Sequence, residues 1–152
     1  MGTTSFSAKV LEKIYRSEHQ LLCVYSQPAN KKKRGQKTLP SPVQLKAEQY
    51  KIKIRTPHDL KNKEELNYFS KIKPDVVVVV AYGKLIPKQY LDLPDTLFLN
   101  LHASLLPKLR GAAPIERSIL QMDNETGISI MKIVPELDAG PYSKQIKIKL
   151  NN

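Results

Sequence analysis

Five consecutive valines at positions 76–80 constrain this chain more than any other feature. β-Branched side chains are stiff at χ1 and favour a pleated backbone, so residues 75–82 read as a strand. The run does not alternate with polar residues. A strand of that kind is expected to be buried on both faces, as an inner strand with helices above and below the sheet. The longest apolar run, residues 76–82, is too short to span a bilayer.

The neighbouring segments suit an open sheet. Residues 6–16 have helical spacing, with Phe6, Val10, Leu11 and Ile14 on one stripe and Thr4 or Ser5 placed to cap it. Residues 21–25 read as a short strand, and the polar, basic stretch 28–41 as a loop. Residues 42–50 read as a helix with proline in its first turn. Ile52 and Ile54 mark a brief strand, and residues 62–72 a helix with Leu66, Phe69 and Ile72 on one side. Strands follow at 97–101, 128–134 and 144–150, the last alternating Ile146, Ile148, Leu150, with a helix at 114–122. The alternation predicts an α/β, Rossmann-like open sheet with flanking helices, mostly parallel at first.

At 152 residues the chain has room for one domain and a core that needs no disulfide or metal staple. The single cysteine, Cys23, excludes an internal disulfide framework and a cysteine-based zinc site, and is expected in the core. A reducing compartment is the default, and no charged-then-apolar leader opens the sequence. A cytoplasmic location is expected, or an organellar matrix in a eukaryote, with no membrane association. The 25 Lys and Arg against 14 Asp and Glu give a net charge of +11, which suggests an anionic partner without choosing its class. Twenty of the basic residues are lysines, mostly scattered as solvated faces. Only Lys31, Lys32, Lys33, Arg34 and Lys37 are dense, and in isolation they read as a solvated loop.

In open α/β sheets, ligands gather beyond the carboxyl ends of the strands, which directs attention to positions after Val80, Leu99 and Val134. Asn100 and His102, two apart, share a side if their strand stays extended. Asp138 follows in the turn Pro135-Glu136-Leu137-Asp138-Ala139-Gly140. An amide can donate to a developing oxyanion, an imidazole can polarise a carbonyl or move a proton, and a carboxylate can orient the imidazole. No serine or cysteine stands as an obvious nucleophile beside His102, which favours direct transfer between two bound substrates. The same residues would equally serve as turn formers satisfying local backbone. His19 and His58 read as surface residues.

The stretch Asn100-Leu-His-Ala-Ser-Leu-Leu-Pro-Lys-Leu-Arg-Gly-Ala-Ala-Pro114, with Glu125-Thr-Gly-Ile-Ser-Ile-Met131 and Glu136-Leu-Asp-Ala-Gly140, closely resembles the methionyl-tRNA formyltransferase family. Ala81-Tyr82-Gly83 with Ile86-Pro87, and Ser26-Gln27-Pro28 through Pro40-Ser41-Pro42-Val43, extend the likeness over essentially the whole chain. The resemblance implies a formyltransferase fold and transfer of a formyl group from 10-formyltetrahydrofolate to the amino group of methionyl-initiator tRNA, without a metal. It implies that Asn100, His102 and Asp138 are catalytic. Tyr82, Gly83, Leu85, Ile86, Ser104, Leu105, Leu106 and Pro107 would line the folate site. The basic cluster Lys31, Lys32, Lys33, Arg34 and Lys37 would approach the tRNA acceptor stem. A monomer is expected. A formyltransferase with another amine acceptor, such as glycinamide ribonucleotide or an amino sugar, and a non-catalytic RNA-binding fragment stand as alternatives. Against the family pattern, the first strand is expected to be missing, because the chain opens directly on Met1-Gly2-Thr3. Residues 1–152 are then expected to be a partial catalytic domain, without the carboxyl-terminal β-barrel domain. Lys84 stands where an apolar residue is common.

Overall fold

The computed structural model describes residues 1–29 and 39–150. Helix α1 (Ser5–Tyr15) starts where Thr4, in extended backbone, accepts the Ser7 N–H at 3.3 Å. Its buried side is not the expected stripe. Ser7, Ala8 and Leu11 face inward, while Phe6 lies at the surface. The reason is close approach: the Ser7 hydroxyl donates to the Val80 carbonyl at 2.6 Å, which a large side chain there would prevent. Strand β1 (Val24–Tyr25) is followed by α2 (Pro42–Gln49), capped by Ser41, whose side chain accepts from the Gln44 N–H at 3.0 Å. Strand β2 (Ile54–Arg55) leads to α3 (Lys63–Ile72), capped by Asn62 and carrying Glu64 and Glu65 at its positive end.

Strand β3 (Val76–Val79) is followed by a one-turn helix, α4 (Lys88–Leu91), too short for hydrophobic periodicity to reveal. Strand β4 (Leu97–His102), helix α5 (Pro114–Leu120) and the strands β5 (Glu125–Lys132) and β6 (Tyr142–Lys149) complete the described chain. No described helix is long and apolar enough to cross a membrane.

β1 and β2 form a parallel pair, and β3-β4-β5-β6 a second sheet in which β3 and β4 are parallel and the remaining pairs antiparallel. Among the described residues, the slot for a first strand holds only Met1 and Gly2. The Gly2 N–H donates to the Tyr25 carbonyl at 2.9 Å, and the Met1 carbonyl accepts from the Val80 N–H at 2.9 Å. The Met1 nitrogen donates to the Val78 carbonyl at 2.7 Å. Two residues thereby join the sheets, and a Cβ on Gly2 would lie 2.6 Å from the Ser7 Cβ.

β1 is the strand buried on both faces. Val24 packs with Ala8, Leu11, Val43 and Ala47 beneath α1 and α2, and Tyr25 joins Leu60, Phe69, Val77, Val79, Tyr82, Tyr90 and Phe98 on the opposite side. The valine strand is not. Val77 and Val79 are buried in the aromatic core, but Val78 is half-buried and Val76 is 49% exposed. Its second face continues through Leu97, Ile146 and Ile148, which are also exposed. On that phase only Val80, approached by Ser7 of α1, is buried, so β-branched composition reported the strand but not its burial.

Candidate active site

β4 remains extended through His102, so Asn100 and His102 project from one face, opposite Met131 and Ser129 of β5. Asp138 meets them there. Its Oδ1 accepts from Asn100 Nδ2 at 3.4 Å, and its Oδ2 lies 3.5 Å from His102 Nδ1 and accepts the Gly111 N–H at 2.9 Å. The carboxylate therefore ties together an amide, an imidazole and a backbone donor. The His102 side chain is 7% exposed and that of Asp138 13%. His102 Nε2 is 3.0 Å from the Leu109 carbonyl. A carbonyl only accepts, so Nε2 is the donor in this contact, and Nδ1 is the ring nitrogen beside the carboxylate.

Asp138 follows a strand, as the sequence indicated, but that strand does not run parallel to β4. β5 is antiparallel to β4: Ser129 lies opposite His102 and Lys132 opposite Leu99. The end of β5 is thus remote from the end of β4. The loop between β5 and β6 returns the carboxylate to His102. Gly140 permits the return, since a Cβ there would collide with the Lys132 carbonyl, and Asp138 takes a left-handed φ of 45°, which aspartate tolerates.

Leu106, Pro107, Arg110, Asp138, Ala139, Gly140, Pro141 and Tyr142 line a cleft of about 340 Å³. Leu106 and Pro107 are thus brought to the carboxylate. Ser104 is buried and turned away, its hydroxyl donating to the Lys108 carbonyl at 2.6 Å. Leu105 lies against β5 where Gly127 has no side chain. The segment after β3 flanks the segment after β4, because the two strands are parallel neighbours. Within it, Tyr82 is a core side chain. Its hydroxyl is buried without a hydrogen-bond partner, and burial, helped by the Glu65 charge, pushes its pKa up to about 12. Its carbonyl accepts from Thr3 Oγ1 and Gln27 Nε2, both at 2.9 Å. Gly83 is left-handed, with φ 77°, Leu85 is 82% exposed, and Ile86 packs on the aromatic core. Lys84 donates to the Pro57 and His58 carbonyls at 2.8 and 2.6 Å, tying this loop to the one after β2. His19 and His58 are exposed, and Cys23 is half-buried beside the aromatic core. Lys31, Lys32, Lys33, Arg34 and Lys37 lie outside the described residues. Among the described residues, no group of three or more His, Cys, Asp or Glu is placed to hold a metal ion.

Sequence reasoning missed the backbone of Leu109 and Gly111, whose roles no side chain announces. It also passed over Ser129, which is fully buried opposite His102. A polar residue on the buried phase of a strand is the signal that would have found Ser129.

Residues 1–151 match the family model described as formyl transferase. The methionyl-tRNA formyltransferase of Pelagibacter ubique is 51% identical over 153 residues, an alignment covering 100% of this chain and 49% of that protein. That of Roseobacter denitrificans is 48% identical over 141 residues, covering 93% of this chain and 46% of its own length. The chain spans about half the length of these curated relatives. Among solved structures, phosphoribosylglycinamide formyltransferase from Anaplasma phagocytophilum superposes with a TM-score of 0.80 at 21% identity, covering 99% of this chain and 70% of that one. The Bacillus halodurans protein of the same name gives 0.77 at 19% identity, with 99% and 78% covered. At these identities the structural likeness shows the fold alone.

Proposed function

The chain belongs to the formyl transferase family, and from that premise we propose that residues 1–152 carry the catalytic domain of a methionyl-tRNA formyltransferase. The reaction is transfer of a formyl group from 10-formyltetrahydrofolate to the amino group of methionyl-initiator tRNA. The names of the curated relatives support the acceptor. The observation that carries the chemistry is the single Asp138 carboxylate holding Asn100, His102 and the Gly111 N–H beside one cleft.

Amine attack on a formyl carbon needs a neutral nucleophile, a donor for the oxygen that gains charge and a route for the amine proton. Asn100 Nδ2 has two hydrogens, and Asp138 takes one, so the second is available to the developing oxyanion. Asp138 and His102 form the proton route. A cleft of about 340 Å³ is at the small end of ligand pockets and suits the flat head of a folate rather than the whole molecule. Leu106 and Pro107 supply an apolar wall, with Ser104 and Leu105 behind it. Tyr82, Gly83, Leu85 and Ile86 form the neighbouring loop. Lys31, Lys32, Lys33, Arg34 and Lys37 contact acceptor-stem phosphates.

The test is formyl transfer by the full-length protein, with methionyl-tRNA and glycinamide ribonucleotide compared as acceptors. His102→Ala is expected to abolish turnover while folate binding, followed by calorimetry, survives. Near-normal turnover by that variant would overturn the assignment, and transfer to glycinamide ribonucleotide alone would reassign the acceptor.

A further inference from the structure

Ser129 is fully buried on β5, directly opposite His102 of β4. Placing a hydroxyl in a dry position is costly unless all its bonds are made. Here they are. Ser129 Oγ accepts from the Leu106 N–H at 3.0 Å and from Gln145 Nε2 at 2.9 Å, and donates to the Ser104 carbonyl at 2.7 Å. One donor and two lone pairs exhaust a hydroxyl. Gln145, from β6, uses its amide again on the Leu106 carbonyl at 2.8 Å. Two side chains on two strands thereby grip both backbone groups of Leu106 and the carbonyl of Ser104.

The gripped segment continues to the reacting groups. Leu106 and Pro107 wall the cleft, the Leu109 carbonyl accepts a hydrogen bond from the His102 Nε2–H, and the Gly111 N–H donates to Asp138. Leu109 has φ 59°, a left-handed conformation that costs a non-glycine residue about 1–2 kcal/mol. Such a residue persists only when its surroundings over-determine it. The grip on Leu106 lies on one side of Leu109, and the Gly111–Asp138 bond on the other.

We propose that Ser129 and Gln145 are positioning residues: through the Ser104–Gly111 segment they hold the Leu109 carbonyl against the His102 Nε2–H, and so fix the ring orientation that places Nδ1 beside Asp138. Neither touches His102 or Asp138 by hydrogen bond. The proposal rests on the formyl-transfer reading for its effect on rate, but its effect on His102 stands without it.

The test uses the full-length protein with Ser129→Ala, Ser129→Thr and Gln145→Glu. The last keeps the shape of the side chain at a half-buried edge position while removing both donated hydrogen bonds, so it reads out even if Ser129→Ala fails to fold. Nitrogen NMR of the His102 ring is expected to show Nε2 protonated in the wild type, and a mixed or reversed tautomer in Ser129→Ala and Gln145→Glu. Formyl transfer is expected to fall on the order of ten- to a hundredfold in kcat, the scale of a misplacement near 1 Å, with KM for the amine acceptor little changed. Ser129→Thr, which retains the hydroxyl, is expected to recover most of both. An unchanged tautomer in folded Gln145→Glu overturns the proposal, as does kcat within twofold of wild type. A wild type that transfers no formyl group while its His102 tautomer still follows Gln145 would overturn the proposed function and support the positioning role.

Discussion

Glu65 shows how one side chain can set the acid limit of this fold. It is buried at the start of α3, where Arg55 Nε and Nη2 donate to its two oxygens at 2.6 Å each and the Tyr25 hydroxyl donates at 2.7 Å. Burial pushes its carboxyl up, but the hydrogen bonds from Arg55 and Tyr25 outweigh that and leave it below its ordinary value. A carboxyl depressed in the folded state contributes stability that is complete above its unfolded pKa and lost as pH falls through the folded one. Glu65→Gln is therefore expected to lower stability by about 2 kcal/mol at pH 7 and to flatten its decline as pH falls below the ordinary carboxylate range, read from urea midpoints. Charge pairing of this kind was not legible in the sequence, because Arg55 and Glu65 sit on separate elements. Asn100 and His102 were legible, since a spacing of two on a strand gives one face whatever surrounds it. Leu109 and Gly111 were not, because they act through backbone atoms that every residue has.

Elements were legible in proportion to their local signals. Helices α2 and α3 begin at side-chain caps that the sequence displays as Ser41-Pro42 and Asn62. For α1 the existence was readable but the rotation was not, since close approach to Val80 selected small residues over Phe6. The β5–β6 connection depends on glycine for the same physical reason, close packing of backbone on backbone. Gly140→Ala would drive a Cβ into the Lys132 carbonyl. It is expected to cost about 1–3 kcal/mol and to move Asp138 away from His102. The combined outcome is a lower melting temperature together with a larger fractional loss of turnover than of folded protein. A variant that melts lower but retains full specific activity would show that the carboxylate does not depend on this loop.

At the scale of the molecule, a net charge of +11 biases every encounter with a polyanion, yet the dense cations at 31–37 are expected to dominate tRNA affinity. Neutralising Lys32, Lys33 and Arg34 together is expected to weaken tRNA binding and flatten its dependence on salt, measured as the slope of log Kd against log salt concentration. An unchanged slope would return the cluster to an ordinary solvated surface. Met1 and Gly2 join β1 to β3 by backbone hydrogen bonds, in the slot where the first strand was expected to be missing. By itself, the sequence determined the class of fold, the run of strands and helices, the shared face of Asn100 and His102, and the family motifs, because these follow from local stereochemistry and residue spacing. Only the tertiary structure decided that Asp138 returns against an antiparallel strand, that β1 rather than the valine strand is buried on both faces, and that Ser129 and Gln145 grip the segment beside His102. Those outcomes depend on which backbones lie a few ångströms apart, a quantity set by packing between segments distant in the chain.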